Sequence, residues 1–164
     1  MGRTPLLNLS IMKNIFFLLL ILSIACAPVK ETPEEKQLKK DIAAIDKFLK
    51  ANHVEAQKDS SGLRYVISEM GTGAKPTLAS SVTVRYVGVF LGTIQIFDKS
   101  EKPVTLSLDR VINGWRVGFP LLPKGSKATF YVPSGLAYGK RGGGGGIIPP
   151  DSNLVFSVEL IDVQ

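Results

Sequence analysis

The chain has 164 residues, 45% of them hydrophobic, and a formal charge of +6. That is enough apolar material for one domain with appendages, and the basic excess is mild and scattered, which gives no ground for nucleic-acid binding. The single cysteine, Cys26, and single histidine, His53, exclude an intrachain disulfide and a Cys/His zinc cluster and argue against histidine-based catalysis. Neither a G-x-S-x-G nucleophile elbow nor a Walker A loop is present, and no metal or cofactor is expected.

Ile15 to Ala25 is nearly all apolar and follows Lys13 and Asn14. Such a run is too short to span a bilayer but suits a signal-peptide core. Ser23-Ile24-Ala25-Cys26 then resembles a bacterial lipoprotein cleavage site, although leucine is usual where Ser23 stands and Leu22 falls one place earlier. The expectation is a signal peptide over 1–25, lipidation of Cys26, and a soluble body tethered to a membrane of the cell envelope. Met12-Lys13-Asn14 is itself a typical signal start. The Met-Gly opening does not fit myristoylation, because Leu6 occupies the position that needs Ser or Thr.

Residues 26–61 are expected to form a tether and a spacer helix. Thr32 can cap, Pro33 suits the first helical position, and Glu35 completes a capping box. Leu38, Ile42, Ile45 and Leu49 repeat at helical spacing, and Asn52 is a plausible stop. The stripe either packs on the domain behind it or forms a homodimer seam through residues 33–51. It covers barely two heptads, so an isolated coiled coil would be marginal. Residues 53–61 are polar and read as a linker.

From Gly62 the pattern switches to period two. Leu63, Tyr65 and Ile67 share a face, as do Val82, Val84, Tyr86, Gly88 and Phe90. Val104, Leu106 and Leu108 alternate with polar residues, and so do Leu154, Phe156, Val158 and Leu160. Gly125 to Val132 is a further strand by its β-branched and aromatic content. One-sided alternation predicts an antiparallel sheet with one face on a core and one wet. Ile94 and Ile96 share a face, yet Phe97 falls on the opposite parity; a bulge near Phe97 would turn it inward.

Asp109 to Phe119 holds the only tryptophan. Val111, Ile112, Trp115 and Phe119 lie close to one stripe of a short helix. A lone amphipathic helix among strands has its natural place on the concave face of a twisted sheet. There Trp115 is either plain core or the floor of an apolar pocket. Gly142 to Gly146 carry no G-x-G-x-x-G register and no following helix signal. They read as a mobile loop, a flap ending in Ile147-Ile148-Pro149-Pro150.

Val84-Arg85-Tyr86-Val87-Gly88, Phe97-Asp98, Val111-Ile112-Asn113-Gly114-Trp115, Ala137-Tyr138-Gly139 and Ile147-Ile148-Pro149-Pro150 with Leu154-Val155-Phe156 occur in this order. Together they resemble the FKBP family of peptidyl-prolyl cis–trans isomerases, over about residues 62–164. The resemblance implies an α+β fold: an antiparallel, five- or six-stranded half-barrel sheet wrapped around one short helix, here preceded by the spacer helix. It implies a proline pocket with Trp115 as floor and Tyr86, Phe97, Val111, Ile112 and Phe156 as walls. Tyr138, Ile147 and Ile148 would form the rim. The Ile112 backbone N–H and the Tyr138 hydroxyl would bond substrate carbonyls, and Asp98 would be the charged group at the edge.

Three departures stand out. Val104 occupies a substrate-wall position where the family often has phenylalanine. The connection from Leu108 to Val111 is about two residues shorter. The tip before Ile147 is glycine only. From the residues alone, Asp98 is either catalytic or a structural carboxylate paired with a nearby base, and Tyr138 is either functional or a turn-packing aromatic. The implied activity is rotation of X–Pro bonds in proline-containing polypeptide clients, assisting the folding of envelope or secreted proteins. The competing reading is a catalytically weak peptide-binding chaperone or scaffold on the same fold.

Overall fold

The computed structural model describes residues 30–164. The expected signal segment and Cys26 lie outside the described residues. From Thr32 to Gln164 the chain forms one compact unit.

Helix α1 spans Pro33–Ala51. It begins where a capping box closes: Glu35 N–H donates to Thr32 Oγ1 at 3.1 Å, and Thr32 N–H donates to Glu35 Oε2 at 2.7 Å. It stops at Asn52, whose side-chain amide donates to the Phe48 carbonyl. The strands are β1 (Gln57–Lys58), β2 (Arg64–Glu69), β3 (Ser81–Phe90), β4 (Ile96–Lys99), β5 (Val104–Ser107), β6 (Lys127–Val132) and β7 (Leu154–Val163), with a short helix α2 (Asn113–Gly118) between β5 and β6. All neighbours are antiparallel in the order β1-β2-β6-β7-β3-β4, and β5 pairs with the first half of β3 beside β4. The strand beyond the expected five or six is β1. The polar stretch read as a linker pairs Gln57 and Lys58 with Tyr65 and Arg64.

The core face carries Val82, Val84, Phe130, Val132, Leu154, Phe156, Val158 and Leu160, all buried. Helix α2 lies on this face, and glycine lets it lie close. A Cβ on Gly114 would come within 2.5 Å of Val132, and one on Gly118 within 2.7 Å of the Phe130 ring. Trp115 and Phe119 are buried beneath it, with their rings edge-on, 5.2 Å apart.

The opposite face is not uniformly wet. Val66, Tyr131 and Val155 have the outward parity, yet they pack with Ile45, Phe48 and Leu49 of α1 in a second cluster. Asp46 of α1 adds a two-bonded tie to Arg64 of β2, at 2.8 and 3.1 Å. Of the expected stripe, Ile45 and Leu49 are buried on the chain's own domain, while Leu38 and Ile42 are half-buried. Further along the sheet the outward residues of β3, Arg85 and Val87, are exposed as expected.

Candidate functional site

Phe97 shows how a local irregularity builds the site. Gly88 pairs with Asp98 and Val89 with Ile96, so Phe97 is the extra residue of a bulge. It turns onto the core face, as its parity conflict anticipates, while Ile94 and Ile96 stay exposed. Gly88 makes room for it: a Cβ there would come within 2.7 Å of Phe97 and 2.9 Å of Phe156. The rings of Phe97 and Phe156 meet edge-on, 5.6 Å apart.

Trp115 stands at the centre of the aromatic set. Its ring meets Tyr86 at 5.0 Å and Phe156 at 5.3 Å, both edge-to-face. It is 5% exposed and lines a cavity of about 270 Å³. Tyr86, Asp98, Val111, Ile112, Tyr138 and Phe156 line it too. A second cavity of about 230 Å³ shares Asp98 and Tyr138 with the first and adds Phe97, Ile147 and Ile148. Trp115 is thus both core and lining. Its indole Nε1 is buried with no hydrogen-bond partner among the described residues, a costly arrangement that core tryptophans usually avoid.

The polar groups converge on one carboxylate. The Tyr86 hydroxyl donates to Asp98 Oδ2 at 2.8 Å. Burial, then that hydrogen bond and the charge of Asp98, push the Tyr86 phenol up from 10.0 to about 12. Tyr138 is raised in the same direction by burial and by the same charge. Asp98 therefore sits with two phenols, and its hydrogen-bond partner is a tyrosine, not the basic side chain that a structural pairing would use.

Two expectations need correction. First, α2 starts only at Asn113, after a 3-10 turn at Leu108–Arg110. Val111 and Ile112 approach it in extended conformation. The Ile112 carbonyl accepts from Trp115 and Arg116, while its own N–H takes part in no backbone bond among the described residues. Second, Val104 lines neither cavity. Its short side chain packs on the core opposite Val84. Leu106, two residues on and of the same parity, lines the pocket instead, with Arg110. The alternation makes Leu106 legible as inward-facing, but no pattern marks Arg110.

The glycine run expected as a flap is bridged where it meets Ile148. Gly143 and Ile148 exchange both backbone hydrogen bonds, each at 3.0 Å. Gly142, Gly144, Gly145 and Gly146 have positive φ, between 60° and 102°, which a side chain at those positions would oppose. The Tyr138 ring covers Gly143 so closely that a Cβ there would meet it. Ile148 is buried and Ile147 is 60% exposed.

Residues 72–161 match the family model described as FKBP-type peptidyl-prolyl cis-trans isomerase. Over 124 residues the chain is 41% identical to the FKBP-type peptidyl-prolyl cis-trans isomerase FkpA of Aeromonas hydrophila, covering 73% of this chain and 45% of that one. It is 41% identical over 135 residues to the outer membrane protein MIP of Legionella longbeachae, covering 79% and 57%. The chain thus spans about half the length of these relatives. Among solved structures it is similar to a peptidyl-prolyl cis-trans isomerase of Pseudomonas syringae, with a TM-score of 0.67, 34% identity, and coverage of 82% of this chain and 98% of that one. FkpA from Escherichia coli gives a TM-score of 0.67 at 33% identity, covering 99% of this chain and 75% of that one.

Proposed function

Because the chain belongs to the FKBP-type peptidyl-prolyl cis-trans isomerases, we propose that it rotates X–Pro bonds of polypeptide clients in the cavity above Trp115. The observation that carries this is the aromatic hollow itself: about 270 Å³ bounded by Tyr86, Trp115 and Phe156, with a single carboxylate at its edge.

Rotation about an X–Pro bond crosses a barrier of about 18–20 kcal/mol because amide resonance is lost at the twisted state. No bond to carbon is made or broken, so nucleophile and proton relay are unnecessary. A dry cavity favours the twisted amide, since planar resonance separates charge and water stabilises that separation. The proline ring rests on Trp115 between Tyr86 and Phe156, with Phe97 closing one side. The uncommitted N–H of Ile112 and the hydroxyl of Tyr138 hold flanking carbonyls, and Asp98, fixed by Tyr86, faces the carbonyl that turns. These contacts accelerate rotation only as far as they favour the twisted state over the planar one.

The clients are proline-containing chains of the bacterial envelope, and the protein is held there by lipid on Cys26. The signal-like run before that cysteine supports the tether, and the name of the Legionella relative is in keeping with it. The activity is tested by a protease-coupled assay on a proline tetrapeptide. Trp115→Ala, Phe97→Ala and Asp98→Val should each lower kcat/KM by about tenfold or more. Full activity with all three changed refutes the pocket. Absence of activity in the intact chain, with peptide binding kept, selects the binding-module reading.

A further inference from the structure

Tyr138 also lines a separate cavity of about 480 Å³, whose other wall is the start of α1: Glu34, Gln37 and Leu38. The helix holds the loop around Tyr138 at two points. Asp41, only 2% exposed, accepts from the Ser134 N–H at 3.0 Å and the Ser134 hydroxyl at 2.5 Å. Its other oxygen accepts from Gln37 Nε2 at 2.7 Å. Glu34, two turns earlier on the same helix face, pairs with Lys140 at 3.1 Å. Ser134 precedes Tyr138 by four residues and Lys140 follows it by two, so the two ties bracket the phenol. Between Ser134 and Tyr138 the chain is a tight turn, with Leu136 N–H on the Pro133 carbonyl and Ala137 N–H on the Ser134 carbonyl, each at 2.9 Å.

The inner tie is the one that matters. An exposed ion pair such as Glu34–Lys140 holds little. A buried carboxylate is unfavourable unless donors surround it, and here the loop supplies two of its three. Attachment of α1 to the sheet does not need it, because Ile45, Leu49 and the Asp46–Arg64 pair already provide that. We propose that Asp41 is a positioning residue for Tyr138, so that the first turns of α1, outside the matched family segment, form part of the substrate rim. This rests on the reading in which Tyr138 meets the client.

The test is a double-mutant cycle on the full chain in the protease-coupled assay, with melting temperature recorded for every variant. Asp41→Asn should lower kcat/KM about tenfold, but less than about twofold where Tyr138 is already replaced by alanine. Asp46→Asn, which loosens the same helix at β2 and not at the loop, should leave kcat/KM within about twofold and show no coupling to Tyr138. Equal losses from Asp41→Asn in both Tyr138 backgrounds overturn the proposal, as does an equal loss from Asp46→Asn, since both describe a helix that merely stabilises. If Asp41→Asn does not fold, Ser134→Ala carries the same cycle by the same criterion, because it removes the hydroxyl donor and leaves the carboxylate. Normal activity in Tyr138→Ala refutes the role of Tyr138 and this proposal with it. An impaired Tyr138→Ala beside a normal Asp41→Asn and Ser134→Ala refutes this proposal alone.

Discussion

Tyr86 and Asp98 form a unit whose protonation has consequences for stability. The phenol titrates near 10.0 when the chain is unfolded and at about 12 when folded. The folded state therefore holds the proton more tightly. That contribution is complete below about pH 10 and is lost as pH rises through about 12. Tyr131 and Tyr138 are raised as well and act with the same sign. Denaturant unfolding measured between about pH 9 and 12 should show falling stability, and Tyr86→Phe should make the fall shallower. An unchanged slope would mean that neither burial nor Asp98 holds the proton on this phenol. At this scale the sequence was informative wherever a residue broke a pattern. Phe97 conflicts in parity with Ile94 and Ile96, and the bulge resolves it. Val104 followed the pattern but is too short to reach the cavity, and Arg110 reaches it from a 3-10 turn that no periodicity announces.

Helices α1 and α2 pack on opposite faces of the sheet by different means. α2 lies close because Gly114 and Gly118 replace side chains at the contact. In Gly118→Ala the new methyl would sit 2.7 Å from the Phe130 ring. Overpacking of this kind costs about 1–3 kcal/mol, against a helix-propensity gain of up to about 1 kcal/mol. The net effect should be a lower melting temperature, and a rise would show that α2 has slack against β6. α1 relies instead on Ile45 and Leu49, set on Tyr131. Its cap, its length and its stripe were all legible in the sequence, because each is a local signal. Its docking place was not, since pairing of distant segments leaves no local mark. The hint lay in Val66, Tyr131 and Val155, three apolar residues on the parity expected to be wet.

At the scale of the whole molecule, location follows from the proposed lipid on Cys26. Expressed in its native host, the chain should fractionate with membranes, and Cys26→Ser should move it to the soluble fraction. Unchanged fractionation would remove the lipid tether and leave the domain as it stands.

Because Trp115 is the only tryptophan in the chain and lines the cavity, the protein carries its own optical reporter. Excited selectively, the indole should fluoresce as a shielded chromophore, and its emission should change saturably as a proline peptide is titrated in. A flat trace with a peptide that the protein demonstrably turns over would mean that the ring and the substrate never meet.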